Sequence, residues 1–145
     1  MTDTIIRKSI YLNASKEQVW AYLTDPDKLA IWFHKPKTPL TGGEGYAMYG
    51  VESGDKLMWG KVLKSDPFDA LEYTFTIAPM GDATSTVKWA LEDVAGGTLL
   101  SLEHTGLPQG ADAFGLTLAL DKGWDDHISR MRADIHSDSS AQEDC

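Results

Sequence analysis

Apolar residues recur with a period of two along most of this chain and with a helical period in its last third. From Ile5 to Asn13, Ile6, Ile10 and Leu12 alternate with Arg7, Ser9 and Tyr11, the pattern of a strand with one buried face. Leu57, Trp59 and Leu63 alternate with Met58, Gly60, Val62 and Lys64. Leu71, Tyr73, Phe75 and Ile77 alternate with Glu72, Thr74 and Thr76, and Val87, Trp89 and Leu91 with Thr86, Lys88 and Ala90. Tyr46, Met48 and Val51 predict a further strand and Thr98 to Thr105 a last one. Gly42-Gly43 opens the sheet region, and turns are expected at 52–55, at Asp66-Pro67, at 79–82 and at Gly96-Gly97. From about Ala111 to Ile135 the rule changes. Phe114, Leu118, Trp124, Ile128, Met131 and Ile135 recur mostly at three- and four-residue steps, which predicts an apolar stripe along one long helix. Asp121, Lys122, Asp125, Asp126, Ser129, Arg130 and Asp134 fall largely on its other side.

Two short helices are predicted after the first strand. Ser15 with Gln18 three residues on has the form of a capping box, so a helix should run from Lys16 to Leu23 with Val19, Trp20 and Leu23 buried. Asp25-Pro26 places an N-cap before a proline at the first helical position, and Pro36 and Pro39 bar continuation much past Trp32. Strands joined by short turns pair as antiparallel hairpins. The fold class is therefore α+β: a sheet of about six strands around a long C-terminal helix, in one domain over residues 1–135. Residues 136–145 are polar and aperiodic and read as a disordered tail.

The chain has 145 residues and a net charge of −9. Residues 1–72 hold nine Lys/Arg against ten Asp/Glu, and residues 73–145 hold four against twelve. No basic stripe is available to grip phosphate backbones or an anionic bilayer, so neither nucleic acid nor membrane is expected as a partner. The N-terminus enters a strand without the basic and apolar segments of a signal peptide, which predicts a cytoplasmic protein. The single cysteine, Cys145, rules out an internal disulfide.

Candidate chemistry is sparse. Trp20, Trp32, Phe33, Tyr46, Trp59, Tyr73, Phe75, Trp89 and Trp124 form a rich aromatic set, in which each ring alone would be an ordinary core residue. Glu103-His104 ends the last strand, and alternation lets only one of the two face inward. His34, His104, His127 and His136 show no metal-binding spacing, and Asp125-Asp126-His127 reads as a solvated helix face, so no metal or other cofactor is expected. Neither a nucleophile elbow nor a phosphate-binding glycine loop is present. The lack of a strong catalytic motif favours a binder over an enzyme.

Several segments in a specific order carry a family resemblance. "ASKEQVWAYLTDPDKLAIWF", "GKVLKSDPFDALEYTF", "STVKWALEDVAGGTLLSLEHTGLP" and "GWDDHISRM" resemble successive parts of the START/Bet v-like (SRPBCC) superfamily. The match is closest to bacterial single-domain relatives of the Hsp90 ATPase activator homologues, and it spans residues 5 to about 135. The resemblance implies a helix-grip fold, a curved antiparallel sheet around the C-terminal helix with an apolar cavity between them. It implies a small apolar or amphipathic molecule as partner, with Trp32, Trp59, Tyr73, Phe75, Trp89, His104 and Trp124 as candidate ligand-binding residues. Two alternatives stay open: an enzyme of the same fold using His104, Glu103 or Tyr73, and a protein-interaction domain, as a homodimer or beside a chaperone.

Overall fold

The computed structural model describes residues 5–36, 40, 45–49, 55–77, 84–107 and 114–143. Among them the chain order is β1 (Ile6–Leu12), α1 (Lys16–Thr24), α2 (Pro26–Trp32), β2 (Lys35–Pro36), β3 (Gly45–Tyr49), β4 (Lys56–Asp66), β5 (Ala70–Phe75), β6 (Ser85–Val94), β7 (Gly97–Thr105) and α3 (Phe114–Glu143). The strands make one antiparallel sheet in the order β1-β7-β6-β5-β4-β3-β2. The helix-grip α+β fold is as expected, with seven strands in place of about six. The additional strand, β2, is two residues long and pairs Lys35 with Tyr49 and Pro36 with Met48. Two residues are too few to show an alternation, and an edge is where a sheet accepts proline. Val51, Gly42-Gly43, the turn residues 52–54 and 79–82, and Cys145 lie outside the described residues.

Local chemistry sets the two short helices. Ser15 Oγ accepts from the Gln18 N–H while Gln18 Oε1 accepts from the Ser15 N–H, which satisfies two amides that have no partner inside α1. Asp25 caps α2 by accepting from the Asp27 N–H, with Pro26 at the first turn. The buried face of α1 is Val19, Tyr22 and Leu23, with Trp20 only half-buried. Tyr22 turns inward and its hydroxyl donates to Asp134 of α3.

The long helix departs from expectation at both ends. Trp124, Ile128, Met131 and Ile135 are buried, but Phe114 and Leu118 are 55% and 56% exposed. The six-residue step from Leu118 to Trp124 is the reason: six residues advance about 600° around a 3.6-residue helix and arrive on a different face. The stripe that packs instead runs through Thr117, Leu120, Trp124, Ile128, Met131 and Ile135. At the other end α3 continues to Glu143, past the predicted stop at Ile135. No proline or glycine follows Ile135 to stop it. His136, assigned from sequence to a free tail, accepts from the Asn13 N–H at 3.0 Å through Nε2.

The helix is also tied to the edge of the sheet. Lys8 of β1 points inward and reaches Asp121 at 2.8 Å and Asp125 at 3.0 Å. Burial opposes its charge, but hydrogen bonds to the two carboxylates outweigh that and raise its pKa. An inward charge on an edge strand also discourages pairing with another chain.

Candidate functional site

Where α3 crosses the sheet, rings from four elements meet on the inner face. Trp89 of β6 stands edge-on to both Trp124 (5.5 Å) and Trp32 (5.9 Å). Phe33, just past α2, stacks on Trp32 at 5.1 Å and on Trp124 at 5.3 Å, and Phe75 of β5 lies 6.0 Å from Trp124. Edge-to-face and offset contacts of this kind contribute about 0.5–1.5 kcal/mol each beyond area burial. Six of the seven predicted ligand-binding residues, Trp32, Tyr73, Phe75, Trp89, His104 and Trp124, come together here.

The seventh, Trp59, does not join them. In β4 the buried positions are Met58 and Val62, and Trp59 alternates onto the opposite, outer face, where it is half-buried. Its backbone pairs with Thr76, whose side chain also faces outward relative to Tyr73 and Phe75. Both registers of β4 are apolar, so periodicity alone could not tell its two faces apart. Glu103 likewise faces outward and pairs with Arg7 at 3.4 Å. With Arg7, Lys8, Ser9, Lys88, Ala90, Ser101 and Leu102 it lines an open groove of about 470 Å³.

His104 is fully buried and every ring nitrogen has a partner. Trp124 Nε1–H donates to Nδ1 at 3.0 Å, so Nδ1 carries no proton. Nε2 therefore carries it and donates to Ser85 Oγ at 2.7 Å, and the Ser85 hydroxyl donates in turn to the Phe75 carbonyl at 2.8 Å. Burial pulls the His104 pKa down to about 4. The neutral Nε2–H tautomer is thus fixed by geometry, and neither nitrogen has a free lone pair with which to act as a base. Ser85, missed as a partner from sequence, lies two residues before Val87 on the inward register of β6. That spacing, with Val87 directly opposite His104, was the signal that could have found it.

The two inner tyrosines are neutral hydrogen-bonding groups. Tyr73 OH accepts from Trp89 Nε1 at 3.0 Å, and burial raises its pKa. Tyr46 OH donates to the Thr74 carbonyl, and burial raises its pKa also. Tyr46 sits directly opposite Gly60 in the β3–β4 register. A Cβ at Gly60 would fall 2.3 Å from the Thr74 oxygen, so only glycine admits this close approach of β5.

His127 corrects a second reading. Asp125 and Asp126 do face solvent, bonded to Lys8 and Lys122, but His127 turns back toward the rings. It stands edge-on to Phe33 (4.7 Å), Trp124 (6.1 Å) and His34 (5.4 Å), and its Nδ1 lies 3.0 Å from the Trp32 carbonyl. Burial first, then the charges of His34 and Arg130, lower its pKa to about 4. Among the described residues no group of three or more His, Cys, Asp or Glu is placed to hold a metal ion, and no helix is long and apolar enough to cross a membrane.

Residues 13–134 match the family described as Activator of Hsp90 ATPase homolog 1-like protein. The chain belongs to that family. Among solved structures it is similar to MLL2253 from Mesorhizobium loti (22% identity over 90% of this chain and 95% of that one, TM-score 0.79). It is similar also to the Aha1 dimer from Colwellia psychrerythraea (17%, 91% and 96%, TM-score 0.74). DynU16, from the dynemicin biosynthetic locus, shares 24% identity over 91% of this chain with a TM-score of 0.78, and this chain spans 47% of its length. At these identities the likeness shows the fold. No match was found among curated proteins.

Proposed function

We propose that this member of the activator-homologue family binds a small apolar or amphipathic molecule between the inner face of the sheet and α3. One observation carries the reading: the aromatic wall does not end where the core closes. It continues into Tyr46, Ile77, Leu116 and Leu120, apolar side chains that pack on the core yet stay half-buried. β5 and β7 run in the same direction, and α3 sets out from the end at which β7 stops. Ile77, Leu116 and Leu120 therefore lie toward one end of the sheet, beyond the Phe75–Trp124 contact. A Cβ at Gly123, beside Trp124, would meet nothing within 4 Å. A helix-interior glycine costs about 1 kcal/mol relative to alanine, and here no close packing demands it. Buried Met48, Met58 and Met131 add side chains that reshape easily around a guest.

The enzyme alternative finds little support in the groups first named for it. His104 has no free lone pair, Tyr73 is held neutral, and Glu103 faces the outer side of the sheet. A homodimer draws support from the Colwellia relative, whose solution structure is of a dimer. The chaperone role in the family's name is not carried to this chain.

The test is titration with the neutral apolar fluorophore N-phenyl-1-naphthylamine, read by its own emission and by quenching of tryptophan. The wild-type protein should bind it saturably. Leu120→Trp, which enlarges a half-buried position, should weaken binding by at least about tenfold, or about 1.4 kcal/mol, with an unchanged melting temperature. No saturable binding by the wild type would end this reading, and a native mass spectrum of the same sample reports the oligomeric state.

A further inference from the structure

Arg130 presses against the same ring nitrogen of His127 that faces the Trp32 carbonyl. One nitrogen cannot serve both. If Nδ1 carries a proton, it satisfies the carbonyl and the guanidinium faces a donor; if Nδ1 is bare, it accepts from the guanidinium and the carbonyl faces a lone pair. In either tautomer one of the two groups is left without its complement. Among the described residues no carboxylate forms an ion pair with Arg130, and His34 makes no hydrogen bond. The remaining charges nearby are engaged: Asp126 with Lys122 at 3.0 Å, and Asp27 with Lys35 at 3.7 Å. His34 stacks on Phe33 at 4.5 Å and stands edge-on to His127, so two imidazoles and a guanidinium converge, and the carboxylate whose charge reaches His127 and Arg130, that of Asp126, is itself bonded to Lys122.

We infer that His34, His127 and Arg130, where the end of α2 meets α3, form a binding site for an oxyanion, a carboxylate or phosphate group of a small molecule. A planar guanidinium fork matches either group, and an imidazole can add an N–H donor to the same oxygens. A metal cation is the poorer occupant, because Arg130 would repel it. The site stands on this cluster alone and does not depend on the apolar binding proposed above. An anion there would relieve the repulsion that Arg130 exerts on both histidines, so binding should draw protons onto them and strengthen as pH falls.

The experiment is a titration of the full chain with sodium acetate and, separately, inorganic phosphate, at ionic strength held constant with sodium chloride. Histidine ring resonances in long-range proton–nitrogen spectra are the readout. His34 and His127 should shift saturably, and their titration midpoints should rise by about one pH unit, the size expected for an opposite charge close by. His104, buried with both ring nitrogens bonded, should stay still. Arg130→Gln should abolish the response, and Arg130→Lys, which keeps the charge without the fork, should retain part of it. A stronger response to phosphate than to acetate names phosphate as the group, and the reverse names a carboxylate. The absence of a saturable shift in the wild type would overturn the inference. So would an equal shift in Arg130→Gln with the His104 resonances in place.

Discussion

His104 and His127 are drawn to about the same low pKa, near 4, and burial is the leading cause at both. What their nitrogens touch is quite different. At His104 the chain Trp124–His104–Ser85–Phe75 runs donor to acceptor at every link and ends on a backbone carbonyl. At His127 a carbonyl and a guanidinium compete for one nitrogen, and His34 beside it has no hydrogen bond among the described residues. A shifted pKa therefore marks a buried histidine without saying what it does. Closed accounting makes His104 a bolt between α3 and the sheet. Open accounting at His127 leaves a place for a ligand.

The largest expected effect comes from removing the bolt. Trp124→Ala deletes the ring shared by Phe33, Phe75, Trp89 and His104, and should cost about 3–5 kcal/mol in urea denaturation. Trp124→Phe keeps a ring but leaves the His104 Nδ1 lone pair buried and unpaired, at a cost of about 1–3 kcal/mol. If the phenylalanine variant were as stable as the wild type, the hydrogen-bond chain would have no energetic weight.

Acid should act on both sites together. Each histidine has a folded pKa near 4 against an ordinary 6.5, so the unfolded chain binds more protons between those values. The stability that both contribute is complete above pH 6.5 and is lost as pH falls toward 4, a change on the order of a few kcal/mol. Melting curves across that range measure it, and His127→Gln should flatten part of the slope. A melting temperature that does not move between pH 7 and pH 4.5 would contradict the burial of both rings.

Ser85→Ala should come next, at about 1–2 kcal/mol, because the His104 Nε2–H loses its acceptor in the core. The smallest effect belongs to the open site. Arg130 is exposed and forms no ion pair with a carboxylate among the described residues, so Arg130→Gln should alter stability by less than about 0.5 kcal/mol. A large loss there would mean that Arg130 serves the fold, and would erase the contrast between the two histidines.

Local rules made much of the fold legible. The capping box at Ser15 and Gln18 and the Asp25-Pro26 cap act over three residues or fewer, and both formed as read. Alternation also located the inner faces of β1, β5 and β6. It failed on β4, where both registers are apolar and Trp59 went to the outside, and on α3, where a six-residue step concealed a change of face at Leu118. The candidate site was legible as a set of rings, because aromatic residues on inward registers must meet something. Ser85 and His127 were missed because each looked polar and local in a linear reading.

By itself, then, the sequence determined the order of elements, the caps and most of the inward registers, since each follows from backbone geometry and burial among neighbours in the chain. Only the tertiary structure decided which histidine is closed and which is open. The partners of His104 come from β5, β6 and α3, and those of His127 from α2 and from the next turn of its own helix. Hydrogen-bond satisfaction depends on distances of about 3 Å between such groups, and no periodicity along the chain encodes those distances.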